Sequence, residues 1–330
     1  MTSELNATPA LNKDISSTSD YPGTGAYTFV VVINSRSGTG TADAILERLS
    51  QYSSHIRIAR KVVLNNTGDI EQKIAKIFRF ATKNNFAVLA AGGDGTINLC
   101  VKYALKSNVP IATLAQGTFN LFARHHGLSE DPDKQIEQLA TCRLQEVPVC
   151  WMNEIPFTTS AAFGIYPAVI NDREHYQKKA GFRSRSTAIL AGILTFFRHK
   201  KRLNVFLETE DGSKRIKALL VMATQNRPQL QNFNCEDILG EIDGRFALVV
   251  ITPLGWQAKV RLFLKGSIGK LPQQDEFSVA LHQTITIHST KKTLKCALDG
   301  EIIEAKLPVH IHVQPQALNL FLPPNKTNQD

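Results

Sequence analysis

FAVLAAGGDGT, residues 86–96 of this 330-residue chain, is the stretch of sequence that decides the fold. An apolar run ends at Ala91 and is followed at once by a glycine-rich turn around Asp94. Such a run is typical of a buried strand, and the pattern that starts at Thr96 predicts a helix. Glycines let a polyphosphate approach the main chain, and free amides at a helix N-terminus attract its oxygens. The stretch therefore predicts a phosphate-binding loop in an α/β sheet.

Asp94 is the unusual residue of this loop, because a carboxylate repels a bare phosphate. A divalent cation placed between the two groups would turn the repulsion into attraction. Asp94 therefore favours a Mg²⁺-bound nucleotide. A strand-to-helix turn in which Asp94 caps the helix is the alternative that needs no ligand.

The alternation of short apolar runs and helical segments continues on both sides of this loop. Strands separated by helices of this length predict a parallel sheet with both faces covered, so we expect a Rossmann-like three-layer α/β domain. The predicted elements are strand 27–33, helix 42–52, strand 56–64, helix 69–84, strand 86–91, helix 96–106 and strand 110–115.

Two further polar loops follow strands of this predicted sheet, at residues 34–40 and 116–120. Because the carboxyl ends of parallel strands meet at one edge, we expect both loops to converge on the same crevice as residues 92–96. Taken alone, residues 34–40 are equally compatible with an ordinary loop. The chain has neither a Walker-type phosphate loop nor a dinucleotide fingerprint.

After about Leu144 the pattern changes to strand-like runs bounded by glycine, proline and aspartate, which predicts a C-terminal β-sandwich and an α/β plus β fold class. The predicted strands are 218–223, 245–252, 259–264, 283–289 and 309–313. The predicted organisation is a flexible tail over 1–26, a nucleotide-binding domain over 27–149, and a β-rich domain over 150–316, with 317–323 a candidate to return to the first domain.

Composition narrows the class of protein. Apolar residues make up 43% of the chain, and the net charge of +9 favours an anionic partner such as nucleotide phosphates, an acidic membrane or nucleic acid. Five widely spaced cysteines without a CxxC pair indicate neither a disulfide framework nor a zinc site, so a cytoplasmic location is expected. The apolar stretch 188–197 is short of the ~20 residues that span a bilayer, so no transmembrane helix is expected.

Residues 173–202 hold nine basic residues and one acidic residue around that apolar stretch. We expect peripheral contact of this segment with an anionic membrane. The alternative is a helix that covers the β-sandwich with its basic residues in solvent. Nucleic-acid binding is not expected, because no aromatic and basic stacking pattern accompanies the charge. The sequence predicts no particular oligomeric state, and His125 and His126 are interpreted as structural or solvated side chains.

Three motifs, in this order, resemble the diacylglycerol kinase catalytic family: GGDGT at 92–96, GTFNLFAR at 117–124 and LDGE at 298–301. The resemblance extends from about Tyr27 to Pro323 and implies an ATP-dependent lipid kinase. GGDGT also occurs in NAD kinases and 6-phosphofructokinases, and the TIDND signature of the latter is absent here. An NAD kinase and a non-catalytic nucleotide- or lipid-binding protein are the alternatives.

The resemblance also implies roles for single residues. The acceptor alcohol must lose a proton, and Asp299 and Glu301 are the candidates for taking it, with Asp94 in the Mg²⁺ network. On its residues alone, the Asp299-Gly300 pair predicts a hairpin turn. The implied ATP-binding residues are Asn34, Ser35, Arg36, Ser37, Gly38, Gly92, Gly93, Asp94, Gly95, Thr96, Ile97, Asn98 and Thr118. A structural Mg²⁺ site is implied at Asp243 with the carbonyls of Gly240 and Arg245, where a plain turn is the alternative.

The chain departs from the family pattern at three positions. Leu99 and Leu121 stand where many members have acidic residues, and Leu64 stands where a threonine is usual. We interpret these changes as an altered acceptor preference rather than a loss of activity. Diacylglycerol is the default acceptor, and a sphingoid base or another lipid alcohol is the alternative.

Overall fold

The structure is a computed structural model that describes residues 27–35, 42–64, 69–172, 195, 198, 201–233, 235–242, 244–253, 255, 257 and 277–324. Several predicted features lie outside the described residues: the tail 1–26, Arg36, Ser37, Gly38, Asp243, strand 259–264 and most of 173–202.

The N-terminal half alternates strands and helices. Its elements are β1 (Tyr27–Asn34), α1 (Ala42–Ser50), β2 (Ile56–Leu64), α2 (Ile70–Asn84), β3 (Ala87–Gly92), α3 (Asp94–Ser107), β4 (Ile111–Ala115), α4 (Leu121–His125) and α5 (Pro132–Thr141). The four strands lie in the order β2-β1-β3-β4, and all neighbours are parallel. Every residue of β3 is buried, which is what its unbroken apolar sequence predicts.

Helices cover both faces of this parallel sheet. On one face, α2, α3 and α4 pack over Val30, Val88 and Ile111. On the other face, α1 and α5 pack over Phe29 and Leu89. The predicted three-layer arrangement is confirmed, and it leaves the loops at the carboxyl ends of β1, β3 and β4 at one edge of the sheet.

The C-terminal half is built mainly from strands. Its elements are β5 (Arg143–Met152), β6 (Ile155–Phe157), β7 (Ser160–Gly164), β8 (Leu203–Thr209), β9 (Gly212–Ala218), β10 (Leu220–Thr224), α6 (Arg227–Asn232), a 3-10 helix (Glu236–Glu241), β11 (Phe246–Ile251), β12 (Phe277–His282), β13 (Thr284–His288), β14 (Thr293–Leu298), β15 (Glu301–Lys306) and β16 (Val309–Leu322). Residues 166–172 are also helical.

Two sheets face each other in this half. One has the order β12-β11-β10-β7-β14-β15, and its neighbours are antiparallel. The facing sheet contains β5, β8, β9, β13 and part of β16, and the two enclose a core that includes Phe163, Phe246 and Ile287. The predicted fold class, α/β followed by an antiparallel β domain, is confirmed.

Strand β16 joins the two halves into one ten-stranded sheet. The first part of β16 pairs with β13, and most of the strand pairs with β5. Near its end, Leu320 lies beside Ile111 of β4, and these two strands are parallel. Residues 318–322 therefore pack with the N-terminal half, where Leu318 and Leu320 are buried.

One strand prediction is wrong in detail. The predicted strand 218–223 contains the end of β9 and the start of β10, which turn at Leu219. The main chain of Leu219 donates to the carbonyl of Ile251 and accepts from the amide of Ile165. Because residues 218–223 are uniformly apolar and buried, the sequence pattern carries no sign of this turn.

Within the described ranges, the structure contains no helix that is long and apolar enough to cross a membrane. All five cysteines are free and buried.

Candidate active site

The three loops predicted to converge do so at the edge of the parallel sheet. The amide Nδ2 of Asn34 donates to Oγ1 of Thr96 over 2.8 Å, which joins the end of β1 to the start of α3. The main-chain amide of Gln116, just after β4, donates to the carbonyl of Gly92 over 2.8 Å. Ser35 donates its hydroxyl to the carbonyl of Leu64 at the end of β2. The four parallel strands therefore end in one connected polar surface.

Two of the glycines are required by this close approach of the loops. A Cβ atom at Gly92 would lie 2.9 Å from the Cβ of Thr96, and one at Gly117 would lie 3.0 Å from the Cα of Gly93. Gly95 differs, because a Cβ there would meet no atom within 4 Å. Packing explains Gly92 and Gly117, whereas packing does not explain Gly95.

Helix α3 begins at Asp94 with Gly93 as the N-cap residue, which has no side chain to satisfy the first amides. The amides of Thr96 and Ile97 donate to the carbonyl of Gly93. The side chain of Ile97 is fully buried in the core. Ile97, predicted to bind ATP, therefore has both its side chain and its amide engaged within the fold.

Asp94 points its carboxylate toward the first turn of α4. Its Oδ1 accepts from the amide of Phe122 over 3.5 Å. Burial raises the pKa of Asp94, and hydrogen bonds from the amides of Phe122, Leu121 and Asn120 oppose that rise. These amides attract the carboxylate without a cation, so Asp94 connects the glycine loop to α4 whether or not Mg²⁺ is present.

The loop after β4 is shaped by Asn120, which adopts a left-handed backbone conformation with φ 49°. Its Oδ1 accepts from the amide of Gly117 over 2.7 Å, and its side chain is buried. Thr118, a predicted ATP-binding residue, lies exposed in the middle of this loop. Asn120 therefore holds the loop in the shape that presents Thr118 to solvent beside the glycine turn.

Asp299 and Gly300 form the predicted turn between β14 and β15, with φ values of 49° and 87°. The carboxylate of Asp299 accepts three main-chain hydrogen bonds, from the amides of Thr158, Thr159 and Ser160, over 2.7 to 3.2 Å. The Thr158 hydroxyl lies 3.2 Å from Oδ2 as a fourth donor. A carboxylate has about four lone-pair sites, so all four directions are taken.

Burial raises the pKa of Asp299 to about 6, and the hydrogen bonds from Thr158, Thr159 and Ser160 act in the opposite direction. The group is therefore ionised at neutral pH but closer to its pKa than an ordinary aspartate, as a proton acceptor requires. Glu301, the second predicted proton acceptor, begins β15 and is exposed.

Thr158 connects this turn to helix α3, which begins at the glycine loop. Its hydroxyl lies 2.6 Å from Oδ1 of Asn98, in the second turn of α3, as well as 3.2 Å from Asp299. A hydroxyl has a single hydrogen, so the two acceptors share it. Asp299, Thr158 and Asn98 thus form a chain of side chains from the antiparallel half to the helix that begins at the glycine loop.

The roles of Thr158 and Asn120 are not predicted by the sequence. Thr158 lies 60 residues from Asn98 and 141 residues from Asp299, so no local spacing connects the three. Three consecutive hydroxyl residues, 158–160, stand directly before the buried run 161–163, and this is the signal that could have drawn attention to them. Asn120 belongs to the quoted motif at 117–124, but its capping role appears only in the folded loop.

The three departures from the family pattern lie in or near the core. Leu64 is fully buried at the end of β2, and Leu99 packs against the core beneath α3. Leu121 begins α4, and its carbonyl accepts from Nδ2 of Asn226 over 2.9 Å. The leucine side chains at 64 and 99 therefore contribute to the packing of the N-terminal half.

The predicted structural metal site is only partly within the described residues. The carbonyl of Arg245 accepts from Nε2 of Gln225 over 2.7 Å, so one of its lone pairs is engaged. Gly240 lies in the 3-10 helix and is exposed. In the described ranges, no group of three or more His, Cys, Asp or Glu side chains is arranged to hold a metal ion. The Mg²⁺ site stays a prediction.

Comparison with known proteins supports one of the families that share the glycine loop. Residues 28–152 match the family described as the diacylglycerol kinase catalytic domain. The predicted resemblance to the diacylglycerol kinase catalytic family is confirmed. The matched segment contains Asn34, the glycine loop 92–96 and Asn120, so it covers the loops at the edge of the parallel sheet.

Relatives named "Putative lipid kinase" match over most of their length. One from Staphylococcus haemolyticus is 23% identical over 293 residues, covering 86% of this chain and 91% of its own. One from Staphylococcus epidermidis is 22% identical over 306 residues, with the same coverage. A crystal structure titled as a putative diacylglycerol kinase from Bacillus anthracis superimposes with a TM-score of 0.69 at 16% identity, covering 91% of this chain and 99% of that one. The two proteins share a fold.

Proposed function

We propose that this protein transfers the γ-phosphoryl group of ATP to the hydroxyl of a lipid, in the cleft between the parallel sheet and the Asp299 turn. The observation that carries the proposal is the chain Asp299, Thr158 and Asn98, which links an acidic turn of one half to the glycine-loop helix of the other. The proposal is also supported by the match to the diacylglycerol kinase catalytic domain and by relatives named "Putative lipid kinase".

In the proposed reaction, the acceptor oxygen forms a bond to the γ-phosphorus while the bond from that phosphorus to the β–γ bridging oxygen breaks. ADP leaves with the bond electrons, and the proton of the acceptor hydroxyl passes to a carboxylate oxygen of Asp299. The Thr158 hydroxyl is the donor that can release Asp299 for this step, because it can turn its hydrogen fully toward Asn98. The main-chain amides keep the carboxylate in place meanwhile.

On the nucleotide side, the glycine loop supplies main-chain amides and Thr96 supplies a hydroxyl that Asn34 orients. Mg²⁺ bound with ATP would neutralise phosphate charge there, and it commonly takes most of its ligands from phosphates and water. Asp94 is the carboxylate of this surface that fits such an ion, because the Asp299 carboxylate is already held by four donors. The amides around both carboxylates limit each to few direct metal bonds.

The acceptor proposed is diacylglycerol or a related lipid alcohol, reached at the surface of an anionic membrane. The high positive charge of residues 173–202 supports this approach, since polybasic segments are attracted to anionic lipid surfaces. ATP and a lipid hydroxyl would then meet at the cleft from opposite sides.

The test is transfer from γ-labelled ATP, with Mg²⁺, to mixed micelles that contain diacylglycerol, sphingosine, ceramide or a total lipid extract, with NAD as a soluble acceptor. We expect labelled lipid with the wild type. The Asp299→Asn variant should lower the rate by about 10²- to 10⁴-fold, the usual contribution of a positioned proton acceptor. Glu304→Gln is the matched control, because Glu304 is an exposed acid on the same hairpin.

Labelled NADP without labelled lipid would move the protein to the NAD kinase class. Equal rates of phosphoryl transfer in the wild type and Asp299→Asn would show that Asp299 does not accept the proton.

A second candidate, a non-catalytic nucleotide-binding protein, is favoured by the complete hydrogen bonding of the Asp299 carboxylate. In that case Asp299 acts as a structural anchor for residues 158–160. Measurable binding of Mg-ATP with no transfer to any acceptor of the panel would establish this function.

A further inference from the structure

A cavity of about 690 Å³ lies where α4, β5 and α6 meet. The side chains that give it its chemical character are Arg124, His125, His126, Gln225, Arg227 and Gln231. Among the described residues, none of those assigned above to nucleotide binding or proton transfer lines it. Cavities of this size at the junction of two domains are typical of small-molecule sites.

Among the described residues, the charge of the lining is positive. Arg124 comes from α4 and Arg227 from the first turn of α6, so two separate elements bring guanidinium groups to the same cavity. Glu130 is the one acidic residue among the described residues of the lining, and it lies 3.9 Å from Arg124. The excess of positive charge favours an anionic occupant.

The two histidines add hydrogen-bond donors. The main-chain amide of Arg227 donates to Nδ1 of His125 over 3.3 Å, so the neutral ring carries its hydrogen on Nε2. Burial and the Arg227 charge lower the pKa of His125 to about 4, and burial, with His125 and Arg227, lowers the pKa of His126. Both rings, which lie 4.5 Å apart, are therefore neutral at pH 7.

We propose that this cavity binds an organic phosphate monoester, whose phosphate pairs with Arg124 and Arg227 beside the two histidines. Arginine is well suited to phosphate oxygens because its planar group donates two parallel hydrogen bonds. The organic part is required because the cavity is larger than a phosphate needs and because Leu128, Pro148 and Pro228 form an apolar part of the wall. A phosphorylated lipid headgroup and a free sugar or polyol phosphate share this chemistry.

The cavity is connected to the proposed active site through α4. That helix carries His125 near its end, and at its start the Phe122 amide is bonded to Asp94 of the glycine loop. The Leu121 carbonyl is bonded to Asn226, next to Arg227. An occupant of the cavity therefore contacts the helix that is anchored to the nucleotide loop, and we expect it to change the KM for ATP.

The binding test is isothermal titration calorimetry of the full chain with glycerol 3-phosphate and with dihexanoyl phosphatidic acid. Glycerol and dihexanoyl phosphatidylcholine serve as controls that lack the monoester. Arg227→Gln should weaken binding by about tenfold or more, the effect of one charge-assisted hydrogen bond. Arg79→Gln, an exposed arginine of α2, should leave the affinity unchanged.

Histidine NMR provides a second readout that does not depend on the arginine variant. A bound phosphate stabilises the charged form of a neighbouring imidazole, so the pKa of His125 should rise from about 4 toward its usual range. Among the described residues, the other charged or titratable groups that line the cavity are Arg124 of the same helix, His126 that follows it, Glu130, and Arg227 of α6. His125→Gln should remove the shifting signal and retain a folded protein.

If dihexanoyl phosphatidic acid binds more tightly than glycerol 3-phosphate, the occupant is a phosphorylated lipid. If the two bind equally, the occupant is a soluble phosphate monoester. No heat with either probe at millimolar concentration overturns the proposal, as does equal affinity in wild type and Arg227→Gln. Asp299→Asn should bind the probes like the wild type, so a failure of the kinase proposal leaves this one separately testable.

Discussion

Two acidic loops form the site, residues 92–96 with Asp94 and residues 299–300 with Asp299, and both direct a carboxylate at main-chain amides of another segment. Asp299 has four donors within 3.2 Å, and Asp94 has one bond of 3.5 Å to Phe122 with two further amides near it. Burial raises the pKa of both groups, and that of Asp299 reaches about 6.

The two carboxylates differ in how tightly hydrogen bonds hold them, and this difference indicates what each is suited to do. The tightly held Asp299 has a fixed position and a pKa near neutrality, which suits proton transfer. The loosely held Asp94 has room to exchange an amide for another partner, which suits a group that responds to a bound nucleotide. Substitutions in the two loops and at Thr158 test this contrast.

The largest effect is expected from the titration of Asp299. Because its pKa in the folded protein, about 6, exceeds the ordinary 3.8, the folded state binds the proton more tightly than the unfolded state. This stabilisation is complete below about pH 4 and is lost as the pH rises through 6. The loss amounts to about 3 kcal/mol of unfolding free energy.

Denaturant unfolding of wild type and Asp299→Asn between pH 4 and 8 measures this loss, because the asparagine does not titrate. The difference in stability between the two proteins should change between pH 4 and 6 and be constant above 7. Asp94→Asn should remove only a smaller part of the slope, because the pKa of Asp94 is also raised but Asp299 still titrates in this window. A flat difference for Asp299→Asn would mean that burial does not perturb this group.

A smaller effect is expected from Thr158→Val, which has nearly the same shape and lacks the hydroxyl. The variant keeps the Thr158 amide bond to Asp299 but removes the fourth donor and the contact with Asn98. We expect a loss of about 1 to 2 kcal/mol in stability and a higher midpoint for the rise of kcat/KM with pH. Thr158→Ser keeps a hydroxyl and should retain the wild-type stability and pH midpoint. An unchanged pH midpoint in the valine variant would mean that the Thr158 hydroxyl does not affect the pKa of Asp299.

The two loops also differ in how much of their structure can be predicted from the sequence. The glycine loop is predicted because an apolar strand, a turn and a helix are adjacent in the chain, and parallel strands end at one edge. The loops of Asn34 and Thr96, which are 62 residues apart in the chain, are correctly predicted to meet in this way. No such rule leads from Asp299 to Thr158, or from His125 to Arg227, because those contacts depend on how the antiparallel half packs on the first.

The smallest effect is expected from Gly95→Ala. The added methyl meets open space and replaces glycine inside a helix, so stability should rise by up to about 1 kcal/mol. If the loop holds phosphates, the same methyl should raise the KM for ATP, measured with the lipid that the panel identifies. Gly92→Ala is the contrast, because its methyl would contact Thr96 and should destabilise the protein. An unchanged KM in Gly95→Ala would place the phosphates elsewhere.

Strand β16 has a consequence for how the chain folds as it is synthesised. The parallel sheet acquires its neighbour beside β4 only when residues 318–322 emerge, after almost all of the antiparallel half has been made. Until then the core around Ile111 lacks Leu318 and Leu320. The N-terminal half therefore precedes the antiparallel half in the sequence but is completed only after it.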